Sequence, residues 1–180
     1  MPKKFLKHIE TITSHRDTAL LDKSVITSLR ELLHVDEILL YDVVHLPDQV
    51  MAAVTTWSDA DGVYSRHDAI GNDDYRPVTE LPKLLSHVLP HHGNTGVPTP
   101  RPRAIGLHHI LPVSVDRQTI ACCEIRYTRT PTAHQRDLAE GILGLYRNYL
   151  ALLEDSQIDT LTGLSNRKTF ERTLAGQIGR

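Results

Sequence analysis

Histidine and cysteine are the residues of this chain whose spacing invites a chemical reading. The eleven histidines include two adjacent pairs, His91-His92 and His108-His109, and clustered imidazoles could ligate a metal or a haem iron. The second pair falls in a stretch that reads as a strand. Neighbouring side chains there point to opposite faces, so at most one of the two enters any single pocket. The two cysteines, Cys122 and Cys123, are also adjacent. Zinc sites need separated Cys or His pairs, so no metal site is expected. A thiol across a hairpin from His108 or His109 would begin a nucleophilic pair, but no third group aligns with it. A mid-strand thiol also lacks the helix N-terminus that lowers a cysteine pKa. The acidic stretch with Asp59, Asp61-Gly62 and Gly71-Asn72-Asp73-Asp74 lacks the alternating oxygen ligands and closing glutamate of a calcium loop, and reads as solvated.

These residues belong to a chain of 180, long enough for one globular body plus a helical extension. A hydrophobic content of 40%, a charged content of 23% and a net charge of −2 give no footprint for nucleic acid. The longest apolar runs, such as Ile38-Leu39-Leu40-Tyr41, are far short of the roughly 20 residues of a membrane span. The basic start leads into no signal-peptide core, so a cytoplasmic location is expected, with no membrane or nucleic-acid partner.

The elements that must position the candidates follow from periodicity. Lys4 to Ile12 reads as a short helix. Thr18 to His34 reads as a second helix, with Leu21, Val25, Leu29 and Leu32 or Leu33 on one stripe. Glu37 to His45 is apolar at both parities, as a central strand is, and Gln49 to Trp57 reads as its hairpin partner. A short strand near Val63 to Arg66, a helix from Val78 to Leu89 and a stiff loop carrying Pro98, Pro100 and Pro102 come next. Leu107 to Val115 and Thr119 to Thr128 form a second hairpin around Asp116-Arg117-Gln118. From Thr132 a long helix carries two adjacent apolar rows. One is Leu138, Ile142, Leu145, Tyr149 and Leu152; the other is Ala139, Leu143, Tyr146, Leu150 and Leu153. One row can pack on the sheet and the other on a second chain, so a parallel homodimer through the first row is expected.

Two strings carry resemblances. Asp159-Thr160-Leu161-Thr162-Gly163-Leu164-Ser165-Asn166-Arg167 reads as a turn between helices, with Gly163 at the bend and Asn166 as an N-cap. It resembles the D-x-L-T-G-L-x-N-R opening of GGDEF domains, the catalytic domains of diguanylate cyclases, at every specified position. That resemblance implies a junction turn at Asp159, Leu161, Thr162, Gly163, Asn166 and Arg167. It also implies GTP and magnesium for a cyclase domain whose catalytic residues this chain lacks, so the fragment itself is expected to catalyse nothing. Leu111-Pro112-Val113, a tight turn and Ile120-Ala121-Cys122-Cys123-Glu124-Ile125 resemble the penultimate hairpin of GAF domains. The usual glycines are absent, and Ala121 stands where one is common. A PAS-like sensor is the other fold that suits this order of elements.

The GAF resemblance implies an α+β fold. It has a central antiparallel sheet of about six strands, helices on one face and a ligand pocket on the other. The expected organisation is a sensor over residues 1–130, a signalling and dimerisation helix over 131–158 and the start of a GGDEF domain over 159–180. Tyr41, Trp57, Arg66, His109 and Cys123 are the expected lining of the pocket, because each joins an apolar body to a polar or soft tip. The ligand is an unidentified small molecule. The alternatives are a ligand-free dimerisation or interaction module, and the sensor of a protein with a degenerate GGDEF domain and a phosphodiesterase output.

Overall fold

A computed structural model describes residues 2–14, 17–89 and 102–157. His91-His92, Pro98, Pro100 and the junction string from Asp159 onward lie outside the described residues. Helix α1 (Pro2–Thr13) packs on α2 (Thr18–Leu33). The latter starts where the Asp17 side chain accepts hydrogen bonds from Ala19 N and Leu20 N, and ends at His34 in the left-handed conformation. Both ends therefore satisfy backbone groups that a helix leaves free. Strands β1 (Glu37–His45), β2 (Val50–Ser58), β3 (Val63–Ser65), β4 (Arg76–Pro77), β5 (Arg103–Ile105), β6 (His108–Val115) and β7 (Gln118–Arg126) form one antiparallel sheet. Its order is β3-β2-β1-β7-β6-β5, and β4 joins the outer edge of β2 beyond β3.

The apolar strand β1 does lie at the centre, between β2 and β7. The β6–β7 turn shows how the chain manages without the expected glycines. Asp116 and Arg117 both take left-handed angles, with φ of 47° and 68°, giving the two-residue hairpin geometry that matches strand twist. The helix expected over Val78 to Leu89 is broken. A single 3-10 turn at Val78–Glu80 is followed by Leu81 in extended conformation and a short α3 (Lys83–Ser86). Pro82 is the cause, because proline pushes the residue before it out of the helical region. β4 and β5 were not anticipated; the second begins immediately after the proline-rich stretch.

The long helix α4 (Ala133–Gln157) opens on a capping box. Thr132 Oγ1 accepts from Gln135 N at 3.2 Å, and Gln135 Oε1 accepts from Thr132 N at 3.0 Å. With α2 it covers one sheet face. There Leu21, Val25, Leu29, Ala139, Leu143 and Tyr146 meet Ile38, Leu40, Leu111, Cys123 and Ile125. Each fully buried Leu or Ile contributes about 1.5–3 kcal/mol of transfer free energy. The row Ala139, Leu143, Tyr146, Leu150 and Leu153 is the buried one, and Ile142 of the other row joins it in the core. Leu138, Leu145 and Tyr149 are half-buried against that core, while Leu152 is 63% exposed. Among the described residues no helix is long and apolar enough to cross a membrane.

Candidate functional site

The other sheet face is built by the opposite parity of the same strands. Strand pairing lines up Tyr64, Trp57, Leu39, Glu124 and Ile110 as one row across β3, β2, β1, β7 and β6. A second row, Glu37, Arg126 and His108, runs beside it toward the strand ends. On the opposite side of the first row, Tyr41, Val43, Val50, Ala52 and Cys122, with Ile110 of the row itself, meet Val78, Leu85, Val88 and Leu89 from the segment around α3. The face is thus half apolar and capped, and half polar and partly open.

Glu124 is the centre of the polar half. It is only 4% exposed, and a carboxylate that deep needs donors to hold its charge. Three converge on it: the Tyr41 hydroxyl donates to Oε2 at 3.1 Å, Arg126 Nε donates to Oε1 at 3.1 Å, and His108 Nδ1 lies 2.8 Å from Oε1. Arg126 Nη1 also bonds Glu37 Oε2 at 3.2 Å. Burial, reinforced by the charge of Glu124, pushes the Tyr41 phenol far up, so it remains a donor. Trp57 and Tyr64 stack with ring centroids 5.6 Å apart beside this cluster, which gives the open half an aromatic flank. The arrangement can hold a ligand by stacking and hydrogen bonding. It offers no activated nucleophile, because burial pushes both cysteine thiols far above their ordinary value.

The expected lining residues divide between the faces. Tyr41 and Trp57 lie on this one. His109 and Cys123 lie on the helix-covered face: Cys123 is inside the core under α2 and α4, and His109 Nε2 lies 3.6 Å from Glu140 Oε1 of α4. Their partners in sequence, His108 and Cys122, occupy the opposite face in their place. Arg66 is committed to structure, donating from Nε to Val54 O at 2.8 Å and from Nη1 to Asp74 Oδ1 at 3.1 Å. Sequence reasoning left Glu124 and Arg126 out of the lining, and weighed His108 only as one of a histidine pair or as the partner of a thiol. The available signal was an acid between buried neighbours in Cys123-Glu124-Ile125, a placement that a strand tolerates only when partners are supplied.

No family model and no curated protein sequence matches the chain. Solved structures do match it in shape. The chromophore-binding domain of the bacteriophytochrome RpBphP3 from R. palustris aligns with a TM-score of 0.55 at 12% identity, over 87% of this chain and 62% of that one. The GAF domain of the cyanobacteriochrome TePixJ aligns with a TM-score of 0.50 at 15% identity, over 79% and 94%. A longer structure of the same bacteriophytochrome gives a TM-score of 0.56 at 12% identity over 87% and 38%. The chain therefore spans less than two thirds of the length of the bacteriophytochrome chains it resembles.

The fold is GAF-like. The antiparallel sheet with α2 and α4 on one face agrees with the α+β architecture anticipated from the β6–β7 hairpin, although the hairpin lacks its usual glycines. Apart from the polar face, a cleft of about 260 Å³ is lined by Leu33, His34, Val35, Tyr127 and Gln135 among others, where β7 passes toward α4. That volume is below the roughly 300–1,000 Å³ of ordinary ligand pockets. The face around Glu124 is the better candidate.

Proposed function

We propose that this chain is the sensory region of a diguanylate cyclase, in which a GAF-like domain reads a small-molecule signal and passes it through a dimeric helix to a GGDEF domain beginning at Asp159. The observation that carries this reading is α4. It is one continuous helix from Ala133 to Gln157, it packs on the sensor sheet through Ala139, Ile142, Leu143 and Tyr146, and Gln157, the last described residue, stands two positions before the complete junction string. A shift of the sheet that moves α4 would move whatever follows Asp159. The ligand is placed on the face of Tyr41, Trp57 and Glu124, and the protein in the cytoplasm.

The full-length gene product, given GTP and magnesium, is expected to make cyclic di-GMP, whereas residues 1–180 alone turn over no GTP. Absence of product in every ligand state of a full-length protein with an intact GGDEF loop would sink the cyclase reading. The phosphodiesterase-output alternative would show instead as hydrolysis of added cyclic di-GMP.

The proposed homodimer uses the outer edge of α4. Leu138, Leu145 and Leu152 recur at seven-residue spacing, and Leu152 and Leu6 of α1 are 63% and 61% exposed. Covering an exposed leucine contributes about 2 kcal/mol, so the contribution grows with each side chain that pairs across a two-fold axis, less the cost of association. Sedimentation equilibrium is expected to give twice the chain mass. A monomer at tens of micromolar would refute the signalling geometry, because two cyclase domains must face each other for the product to form.

One observation favours the second reading, a ligand-free interaction module. Val78, Leu85, Val88 and Leu89 already fill half of the ligand-side face. Native mass spectrometry of the purified protein separates the two readings: a bound small molecule supports the sensor, and a bare dimer supports the module.

A further inference from the structure

A second buried carboxylate lies on the helix-covered side. Asp22 of α2 is 3% exposed and holds two donors from different parts of the chain. The Tyr146 hydroxyl of α4 donates to Oδ1 at 2.5 Å, and His67 Nε2 lies 2.7 Å from Oδ2. Burial pushes the Asp22 carboxyl up, and hydrogen bonds from His67 and Tyr146 draw it back down.

His67 belongs to the segment that leaves β3, runs along the outer edge of β2 and passes through β4 to Val78. Its body lies on the helix side of the sheet, and its last residue, Val78, reaches the opposite face. On the helix side, where His67 also lies, the Tyr75 hydroxyl donates to Asp42 Oδ2 at 2.6 Å. Three residues later Val78 is buried in the ligand-side core with Tyr41 and Ile110. Arg66 stiffens the segment by tying it to Val54 O and to Asp74, whose Oδ2 also accepts from Gly71 N at 2.9 Å. A strap held at so many points moves as a unit and has a fixed attachment at each face.

We infer that Asp22 is the joint through which the ligand-side face reaches the signalling helix: one carboxylate ties the strap, at His67, to α4, at Tyr146. The inference rests on the reading of α4 as the output helix. Its physical basis is that neither donor can leave without exposing the other to a half-satisfied buried charge. If Tyr146 loses its hydroxyl, Oδ1 is left bare. Opening of the strap, which lets water reach the carboxylate, then becomes more favourable. Reciprocity requires that removing His67 loosen α4 in the same way. Asp22 and its two partners are positioning residues, with no contact to a ligand required of them.

Native-state hydrogen exchange on the whole chain tests this. In Tyr146→Phe, the strap amides of Ala69, Asp74 and Tyr75, which bond Arg66 O, Gly71 O and Asn72 O, are expected to exchange about tenfold faster, as befits the loss of a hydrogen bond to a charged group. In His67→Ala, which removes the donor, amides one turn beyond Tyr146, such as Leu150, are expected to speed up likewise. A tyrosine that only fills space would alter the slowest sheet amides and leave the locally opening strap unmoved. Strap rates unchanged in Tyr146→Phe, or α4 rates unchanged in His67→Ala, would overturn the joint. The measurement involves no GTP, so a failed cyclase assay leaves it standing and a failed exchange test leaves the cyclase reading intact.

Discussion

Glu124→Ala is expected to destabilise the fold by about 3 kcal/mol, the order found when one member of a buried charged cluster is removed. The loss has two parts. The Tyr41 hydroxyl, in a residue only 5% exposed, is left without its acceptor, and Arg126 and His108 lose the charge that orders them. Because Arg126 and His108 are partly exposed, water can replace Glu124 for them. The Tyr41 side chain has no such recourse. Glu124→Gln keeps the shape and one acceptor oxygen, and is expected to cost about 1 kcal/mol. Urea denaturation followed by the fluorescence of Trp57, the single tryptophan, measures both. Equal costs for the two variants would mean that the carboxylate charge alone holds the cluster and that the shape and acceptor oxygen kept by glutamine contribute nothing. The same pair of variants bears on function: a ligand that contacts the polar half should bind differently to Glu124→Gln while the fold persists.

The contrast between Glu124 and the expected pocket residues shows how far the sequence could be read. Strands β1, β2, β6 and β7, and helices α2 and α4, were legible because each is long enough to show its period and is bounded by turn residues. β4 and β5, of two and three residues, are too short to carry a period. They exist because neighbouring strands offer them an edge. Which face a residue joins was not legible. Tyr41 and Leu40, His108 and His109, Cys122 and Cys123 are neighbours in strands apolar on both sides, and parity alone separates them without saying which set meets the helices. Packing settles this: α4 brings Glu140 to His109 and leaves His108 for Glu124. The donors that make Glu124 a buried centre cannot be read locally, since Tyr41 is 83 residues away and His108 is 16 away. Asp22 was hidden in the same way, its partner Tyr146 being 124 residues distant. Buried polar clusters of this kind are written in long-range pairing, and local pattern does not reveal them.

Acid is expected to weaken the chain through His109, and the sign follows from where that imidazole sits. Its side chain is 1% exposed, Nδ1 has no hydrogen-bond partner, and Nε2 is 3.6 Å from Glu140 Oε1, longer than a hydrogen bond. Burial, helped by the nearby Arg136 charge, lowers its pKa from 6.5 to about 4. The folded protein therefore holds His109 neutral while the unfolded chain takes up a proton near pH 6.5. Its contribution to stability is complete above pH 6.5, falls by about 1.4 kcal/mol for each pH unit below that, and levels off once pH drops under 4, a total of about 3 kcal/mol. Asp22, whose carboxyl burial raises, acts with the opposite sign. It is present in both proteins when wild type is compared with His109→Gln, so the difference between their stability curves isolates the imidazole. That difference should shift against the wild type as pH falls from 6.5 to 4 and be flat above 6.5. Glu140 is the competing influence: its carboxylate is 48% exposed and would favour the charged ring if it swung closer. An NMR titration of His109 that stayed near its ordinary value, with parallel stability curves for the two proteins, would show that Glu140 outweighs burial and that acid does not act on the α4 interface through this residue.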